Sequence, residues 1–245
     1  MSNIGAVIIA NNTDRFDYEK LASISADKIE RNLNIPTTII NVQKEHNQRY
    51  VNFGRVDWLN MGRTQAYELS PYDRTLLIDA DMFVHTNTLK AHLNSNVDFA
   101  IARQMYDPTT GAYYVQNLGK SKIEQVWATI VIFNKSTIAK NIFDLAQHVL
   151  DHYRYYSLLY NFKDFPLRND YAFSIACHIL GGYGQKKFDI ASYPLVNCDF
   201  NTDIKEINDD NILVTYNNNK KKYLQRIRSD VHIQNKSSLF GLIDE

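Results

Sequence analysis

Two aspartates, Asp79 and Asp81, are the strongest candidates for chemistry in this sequence. They follow an apolar run, and residues two apart in an extended chain point to the same side. Neighbouring carboxylates repel each other unless a cation lies between them. A hard divalent metal ion is the natural cation, and a nucleoside diphosphate would fill its open coordination positions. The spacing alone is a weak signal, so an ordinary acidic turn is the alternative.

The elements before these aspartates alternate between strand and helix patterns. Repeated β–α–β units with continuous apolar strands predict a parallel sheet covered on both faces. Ligands of such sheets lie beyond the carboxyl ends of the strands, here at residues 10–12 and 79–81. The predicted strands are 4–10, 37–42 and 74–78, and the predicted helices are 16–33 and 63–69.

The second half of the chain is less regular. Residues 137–160 predict one long helix, and residues 170–180 predict another that ends at two glycines. The only low-complexity tract is 217–222, and no linker marks a domain boundary. Further strands are predicted at 98–102, 126–133, 212–216 and 230–234.

The composition is that of a globular protein and excludes a disordered or fibrous chain. Hydrophobic residues make up 44% and charged residues 22% of the 245 residues. The 27 basic and 27 acidic residues cancel, so net charge favours neither a nucleic acid nor a membrane partner. No apolar run approaches the roughly 20 residues that cross a bilayer.

Several features predict a cytoplasmic protein. The N-terminus has no basic region or cleavage-like site, and we interpret it as a strand rather than a signal peptide. Cys177 and Cys198 are expected to be free thiols in a reducing compartment. Abundant Asn and Tyr with few Gly and Pro suit an AT-rich genome, as in a phage or a low-GC bacterium. If the source is a phage, the expected location is the host cytoplasm.

Residues 72–81, Tyr-Asp-Arg-Thr-Leu-Leu-Ile-Asp-Ala-Asp, resemble the "yDrvlylDaD" segment of GT-A glycosyltransferases, especially the retaining glycogenin-like and galactosyltransferase-like families. The resemblance implies an α/β, Rossmann-like GT-A fold with a mixed, mainly parallel sheet flanked by helices. It implies a hexosyl- or pentosyltransferase that moves a sugar from a nucleotide-diphosphate donor, a UDP-sugar above all, to a hydroxyl acceptor. The implied cofactor is Mn²⁺ or Mg²⁺. The stereochemical outcome stays open.

The resemblance also implies residues for the metal and the donor. Asp81 is the main metal ligand with Asp79 as its partner, and His232 completes the metal shell. Lys236, four residues after that histidine, holds the donor phosphates. The family's Gly and Pro-Trp around this lysine are missing here. The implied donor-binding residues are Ala10, Asn11, Asn12, Tyr18, Arg63, Asp79 and Ala80, with Phe16 as an alternative to Tyr18 for stacking on the base.

The acceptor side matches the family less fully. Residues 127–134 resemble the strand ending in "fNsG", although the Gly is absent and Ser136 is displaced. Asn169 and Asp170 resemble the "DQ" element, which makes Asp170 a candidate catalytic or acceptor-orienting carboxylate. Capping of the following helix is its alternative role. A single domain over residues 1–245 is expected, with 1–100 binding the nucleotide sugar and 101–245 binding the acceptor.

A basic run near His232 suggests one acceptor. It could hold phage DNA with hydroxymethylated bases, which would need an everted base. The alternative is an ordinary solvated loop. The run comprises Lys220, Lys221, Lys222, Arg226 and Arg228, interleaved with Tyr223.

Two other functions compete with glycosyl transfer. A haloacid-dehalogenase-like phosphohydrolase also places D-x-D after a strand, and Asp209-Asp210 could imitate its late acidic pair. Against it, Phe83 stands where Thr is expected, and the motif is not in the first strand. The second competitor is a catalytically silent protein that binds a sugar nucleotide.

Overall fold

The computed structural model describes residues 3–42, 48–51, 54–57, 61–120, 123–162, 167–183, 187–190, 193–218 and 221–243. Strands and helices are numbered separately along the chain. The strands are β1 Ile4–Ile9, β2 Thr37–Ile40, β3 Gln48–Val51, β4 Gly54–Asp57, β5 Arg74–Ile78, β6 Met82–Phe83, β7 Phe99–Ala102, β8 Met105–Asp107, β9 Ala112–Tyr114, β10 Asn117–Leu118, β11 Ile123–Glu124, β12 Trp127–Asn134, β13 Leu195–Cys198, β14 Asp203–Ile207, β15 Ile212–Asn218, β16 Lys221–Ile227 and β17 Val231–Ile233. The helices are α1 Tyr18–Leu33, α2 Ala66–Leu69, α3 Thr88–Leu93, α4 Thr137–Asp151, α5 Tyr153–Leu159, α6 Asn169–Leu180 and α7 Lys236–Ile243, and a 3-10 helix, Met61–Gln65, leads into α2.

A central sheet with the strand order β2-β1-β5-β12-β7 carries the first aspartate at the end of β5. Strands β2, β1 and β5 are parallel, whereas β12 is antiparallel to both of its neighbours. The sheet is therefore mixed, with four strands in one direction, as the expected mixed, mainly parallel sheet requires, and β12 is the antiparallel strand. The chain passes from β7 to β12 through short strands, and antiparallel neighbours need no helical crossover.

Both faces of the central sheet are buried, as the continuous apolar strands predict. Ile8 and Ile78 point into a core shared with α1 and the second sheet. Val7 and Leu77 point into the opposite core, which contains the buried faces of α4 and α6. Because alternate residues of each strand enter different cores, both faces of the sheet are mainly apolar.

A second sheet has the order β6-β17-β13-β8-β9. Its strands β17, β13 and β8 are parallel, while β6 and β9 pair antiparallel at the two edges. Strand β6 follows β5 after three residues, so residues 79–81 link the two sheets. The pairing of β6 with β17 brings the late histidine of the sequence back to this link.

A close approach between β1 and the segment before β5 fixes part of the central sheet. A Cβ atom added to Gly5 would lie 2.3 Å from the ring of Tyr72. The Tyr72 hydroxyl in turn lies 2.7 Å from the Thr38 hydroxyl in β2. The glycine therefore leaves the space that the tyrosine ring occupies.

Several predicted helices differ from the observed ones. The predicted helix 137–160 is two helices, because the chain leaves helical geometry at His152 (φ −112°, ψ 32°). The predicted helix 16–33 begins at Tyr18, since the Asp17 side chain caps it by accepting from the Lys20 N–H. The predicted helix 63–69 begins as the 3-10 helix and becomes α-helical at Ala66.

The late part of the chain contains more strand than predicted. The expected strand 212–216 is the centre of a three-stranded antiparallel sheet, β14-β15-β16. Most of the polar tract 217–222 therefore lies in paired strands, with residues 219–220 outside the described part. Cys177 and Cys198 are both free and buried, as expected. Among the described residues, none of the helices combines the length and the hydropathy that crossing a bilayer requires.

Candidate metal and phosphate site

The three predicted metal ligands lie together at the link between the two sheets. One ligand atom from each of Asp79, Asp81 and His232 lies within 4.8 Å of the others. Strand pairing creates this proximity, because His232 pairs with Met82, the residue after Asp81. The Ile233 N–H also donates to the Asp81 carbonyl at 3.0 Å. Two carboxylates and an imidazole are a set of side chains that can hold a divalent metal ion.

The imidazole of His232 is oriented by Asn197, its register partner in β13. The ring Nδ1–H donates to Asn197 Oδ1 at 2.8 Å, so Nε2 carries the free lone pair. Nε2 lies 3.4 Å from Asp81 Oδ1. Burial lowers the pKa of His232 and outweighs the opposing effect of Asp79, so the ring is neutral near pH 7. The unprotonated Nε2 of His232 and the Oδ1 of Asp81 are thus two electron-pair donors close enough to bind one cation.

Arg63 pairs with the first aspartate. Its Nη1 donates to Asp79 Oδ1 at 2.6 Å, and the arginine is only 3% exposed. Its Nε and Nη2 are also buried, and neither has a hydrogen-bond partner within the described residues. Buried donors without partners are rare, because each carries a desolvation cost. The guanidinium thus has donors available for an anion next to the acidic cluster.

Lys236 pairs with the second aspartate. It is the first residue of α7, and its ammonium donates to Asp81 Oδ2 and to the Ile233 carbonyl. Burial lowers the pKa of Lys236 to about 7, although the Asp79 carboxylate opposes the shift. Each aspartate therefore has one cationic partner. The two negative and two positive charges of this site cancel when Lys236 is protonated and the imidazole is neutral.

Asp170 also acts electrostatically on this site. Burial lowers the pKa of His232; the carboxylates of Asp79 and Asp170 oppose this shift, and Arg168 adds to it. Asp170 Oδ1 accepts the Ala128 N–H at 2.9 Å, and Oδ2 lies 3.4 Å from Arg168 Nη2. The residue thus anchors the start of β12 and lies near the metal cluster.

The predicted nucleotide loop has structural contacts of its own. Asn11 Oδ1 accepts the Val42 N–H at 3.0 Å, and Asn12 Oδ1 accepts the Glu19 N–H at 2.9 Å. The first contact ties the loop to the residues after β2, and the second binds it to the first turn of α1. Both contacts are structural, so the binding of a nucleotide by this loop stays a prediction.

The residues around the loop differ in what they offer a ligand. Ala10 and Ala80 are buried, so any contact they make with a ligand is through the backbone or a single methyl group. Burial raises the pKa of Tyr18, and the Asp79 carboxylate raises it further, which indicates that this tyrosine lies near the acidic cluster. Phe16 already stacks on Phe240 at 4.7 Å between ring centroids.

The basic run lies on an exposed edge strand. Lys221, Lys222 and Tyr223 are exposed on β16, and Lys220 lies outside the described residues. Arg226 donates to Asn211 Oδ1 at 2.5 Å and lies 3.6 Å from Glu206 Oε2, so it is partly neutralised. Arg228 is exposed.

The late acidic pair expected of a phosphohydrolase is absent from the metal cluster among the described residues. Asp209 instead pairs with Arg31 at 2.5 Å, and both side chains are largely exposed. Asp209 therefore does not add to Asp79 and Asp81 the further acidic group that the phosphohydrolase hypothesis would require.

Sequence reasoning missed Asn197 and Arg168. Asn197 belongs to a short apolar strand, and only the register of β13 with β17 shows that it contacts His232. Arg168 stands directly before the Asn169-Asp170 pair, and this position could have indicated it.

No family model matches this chain, and no curated protein matches it. Among solved structures, it is similar to a glycosyltransferase involved in the glycosylation of the major capsid of PBCV-1, with a TM-score of 0.42 and 9% identity over 80% of this chain and 84% of that one. It is also similar to the apo-form glycosyltransferase GlyE of Streptococcus pneumoniae TIGR4, with a TM-score of 0.36 and 12% identity over 62% of this chain and 39% of that one. At these scores neither likeness assigns an activity or the GT-A fold to this chain.

Proposed function

We propose that this protein is a metal-dependent glycosyltransferase that moves a sugar from a nucleotide-diphosphate donor to a hydroxyl acceptor. One observation carries the proposal. A neutral His232 directs its Nε2 lone pair at Asp81, beside Asp79, and two cationic side chains flank the cluster. A divalent ion and a diphosphate together match this combination of carboxylates, imidazole and cations.

Asp79, Asp81 and His232 would hold the metal ion. An imidazole ligand suits Mn²⁺ better than Mg²⁺, which prefers a shell made of oxygen atoms. When bound, the ion supplies Lewis acidity that stabilises negative charge on the departing diphosphate. Asn197 supports this role because it keeps Nε2 of His232 unprotonated and correctly directed.

Arg63 and Lys236 would bind the diphosphate of the donor. The Nε and Nη2 of Arg63, which have no hydrogen-bond partner in the described part of the chain, match phosphate oxygens in a planar, two-donor arrangement. Lys236 supplies a point charge beside Asp81. We assign the base and ribose to residues 10–12, Tyr18 and Ala80, and the donor as a whole to residues 1–100. A UDP-sugar is the proposed donor.

Asp170 would orient the acceptor, which we assign to residues 101–245. Its carboxylate acts electrostatically on His232, and we assign to it the hydroxyl group of the acceptor. The bond from the anomeric carbon to the phosphate oxygen breaks, and a bond from that carbon to the acceptor oxygen forms. The acceptor proton passes to the departing phosphate if the configuration is retained. Retaining glycosidases use a pair of carboxylates, one of which is the nucleophile. The motif of Asp170 contains no second carboxylate, so the proposal includes no covalent intermediate.

Thermal stabilisation by nucleotide sugars, with and without Mn²⁺, tests the donor site. A matching donor should raise the melting temperature by several degrees only when Mn²⁺ is present, because stabilisation grows with saturation. Asp81→Asn should abolish this shift, while Asp209→Asn, which alters an exposed ion pair, should not. If no nucleotide sugar stabilises the protein under either condition, the proposal is wrong.

A second assay separates the competing functions. Metal-dependent release of sugar from the matching donor indicates a transferase rather than a silent binder. Vanadate-sensitive release of phosphate from a model ester, without sugar-nucleotide binding, indicates the phosphohydrolase.

Hydroxymethylated DNA is the acceptor that we propose to test first. Lys221 and Lys222 on β16 are exposed and could contact phosphates. Transfer should then rise with hydroxymethylated DNA and fall steeply with added salt. Equal rates with unmodified DNA or with no DNA would exclude this acceptor.

A further inference from the structure

Lys236 forms a hydrogen bond with Oδ2 of Asp81, one of the carboxylates that would bind the metal ion. Its ammonium donates to Asp81 Oδ2, while Asp81 Oδ1 faces Nε2 of His232. Arg63 holds one oxygen of Asp79 in the same way. Both aspartates are thus paired with cationic side chains of the chain itself.

We propose that Lys236 is an internal counter-ion of Asp81 that opposes metal binding until a diphosphate draws it away. The inference rests on the proposed function and adds a coupling between its two ligands. The metal and the diphosphate should bind together far more tightly than either binds alone.

The charges around the cluster explain this coupling. A divalent ion alone would bring two positive charges beside Lys236 and Arg63, which are already close to the aspartates. A diphosphate alone would bring negative charge beside Asp79 and Asp81. When both bind, the added charges cancel, and the phosphate oxygens can accept from the ammonium and from the free donors of Arg63.

The surroundings of Lys236 keep the ammonium close to the carboxylate before the ligands bind. The Ile233 carbonyl accepts a second hydrogen bond from Nζ, and the residue begins α7 immediately after β17. Without its cation, Asp81 would be a largely buried carboxylate beside a neutral imidazole, and such a group binds a metal ion more readily. Removal of the lysine charge should therefore strengthen the binding of metal alone.

Mn²⁺ titrations followed by the electron paramagnetic resonance of the free ion test this coupling. Wild type, Lys236→Met and the surface control Lys140→Met are compared at one pH, first with Mn²⁺ alone and then with uridine, guanosine and adenosine diphosphates in turn. In wild type, the matching diphosphate should raise Mn²⁺ affinity by about 10-fold or more, within the usual range of coupling between sites. Lys236→Met should bind Mn²⁺ alone several-fold more tightly than wild type and lose most of the coupling.

The outcomes separate this inference from the proposed function. If Lys236 only binds phosphate, Lys236→Met will weaken diphosphate binding and leave the affinity for Mn²⁺ alone unchanged, which overturns the inference. If wild type binds neither Mn²⁺ nor any diphosphate, the proposed function itself fails. Lys236→Gln is the second variant in case the methionine does not fold, because its amide can still donate to the Ile233 carbonyl.

Discussion

The Nδ1–H of His232 donates to Oδ1 of Asn197 across the pairing of β17 with β13, at 2.8 Å. Both residues are part of the interior of the second sheet, and Asn197 is only 5% exposed. This hydrogen bond decides which ring nitrogen faces the aspartates. A buried asparagine in an apolar strand therefore fixes the tautomer and the ring orientation of a candidate metal ligand.

Replacement of Asn197 by alanine should weaken Mn²⁺ binding by about 10- to 100-fold, the usual effect of losing a residue that orients a metal ligand. The imidazole would lose the partner that fixes its tautomer. Mn²⁺ titration measures the effect, with circular dichroism to establish that the variant is folded. Asn218→Ala is the matched control, since that side chain donates to the Thr109 carbonyl instead. Unchanged affinity in folded Asn197→Ala would contradict the prediction.

Asp170→Asn separates the structural from the catalytic role of this residue. The asparagine can still accept the Ala128 N–H through its side-chain oxygen, so the melting temperature should change little. The rate of sugar transfer should fall by about 100-fold or more, because the negative charge near the acceptor is lost. Mn²⁺ affinity and the rate of transfer are measured on the same preparation. Asp144→Asn on the surface of α4 is the control, and a transfer rate equal to wild type would exclude Asp170 from catalysis.

Gly5→Ala should destabilise the protein by about 1–3 kcal/mol, as other overpacked cores are destabilised. The new methyl group would lie 2.3 Å from the Tyr72 ring, which contacts β2 through its hydroxyl. The measurement is the denaturant midpoint of unfolding. Gly241→Ala in α7 is the contrasting variant, because no atom lies within 4 Å of its added Cβ, and it should stabilise the helix slightly. Equal changes in stability for the two substitutions would contradict the prediction, because they would show that the Tyr72 ring moves aside without a free-energy cost.

Both cysteines should resist thiol reagents until the protein unfolds. Burial raises the pKa of Cys198 to about 12 and that of Cys177 further still. A raised pKa means that the reactive thiolate is scarce at pH 8, and burial also blocks access. Labelling with a chromogenic disulfide should be slow in buffer and reach two thiols per chain in denaturant. Rapid labelling of the folded protein would contradict this prediction.

The sequence predicted that Asp79, Asp81 and His232 lie together, because these residue types have specific chemistry. Asp79 and Asp81 followed a clear apolar strand, and the spacing of His232 and Lys236 matched a known pattern at the other end of the chain. These residues meet in space, which composition and periodicity could not establish. The pairing of β6, a strand of only two residues, with β17 brings them together.

Other features depended on contacts that no local pattern records. The direction of β12 follows from the route of the chain after β7, and the break at His152 separates two helices that the apolar spacing joined. The sequence also did not indicate the role of Asn197, because its contact with His232 depends on the register of β13 with β17. Asn11 and Asn12 were predicted to bind the donor, but their side-chain oxygens accept backbone N–H groups of Val42 and Glu19. The local sequence did not indicate these structural contacts.

Asp79 stands directly after a strand of the central sheet, whereas Asp81 stands directly before a strand of the second sheet. Any ion held by both carboxylates therefore fastens two separately hydrogen-bonded layers at their seam. Removal of such an ion would weaken the connection between the two sheets, so the stability of the fold and the proposed binding site would depend on the same two side chains.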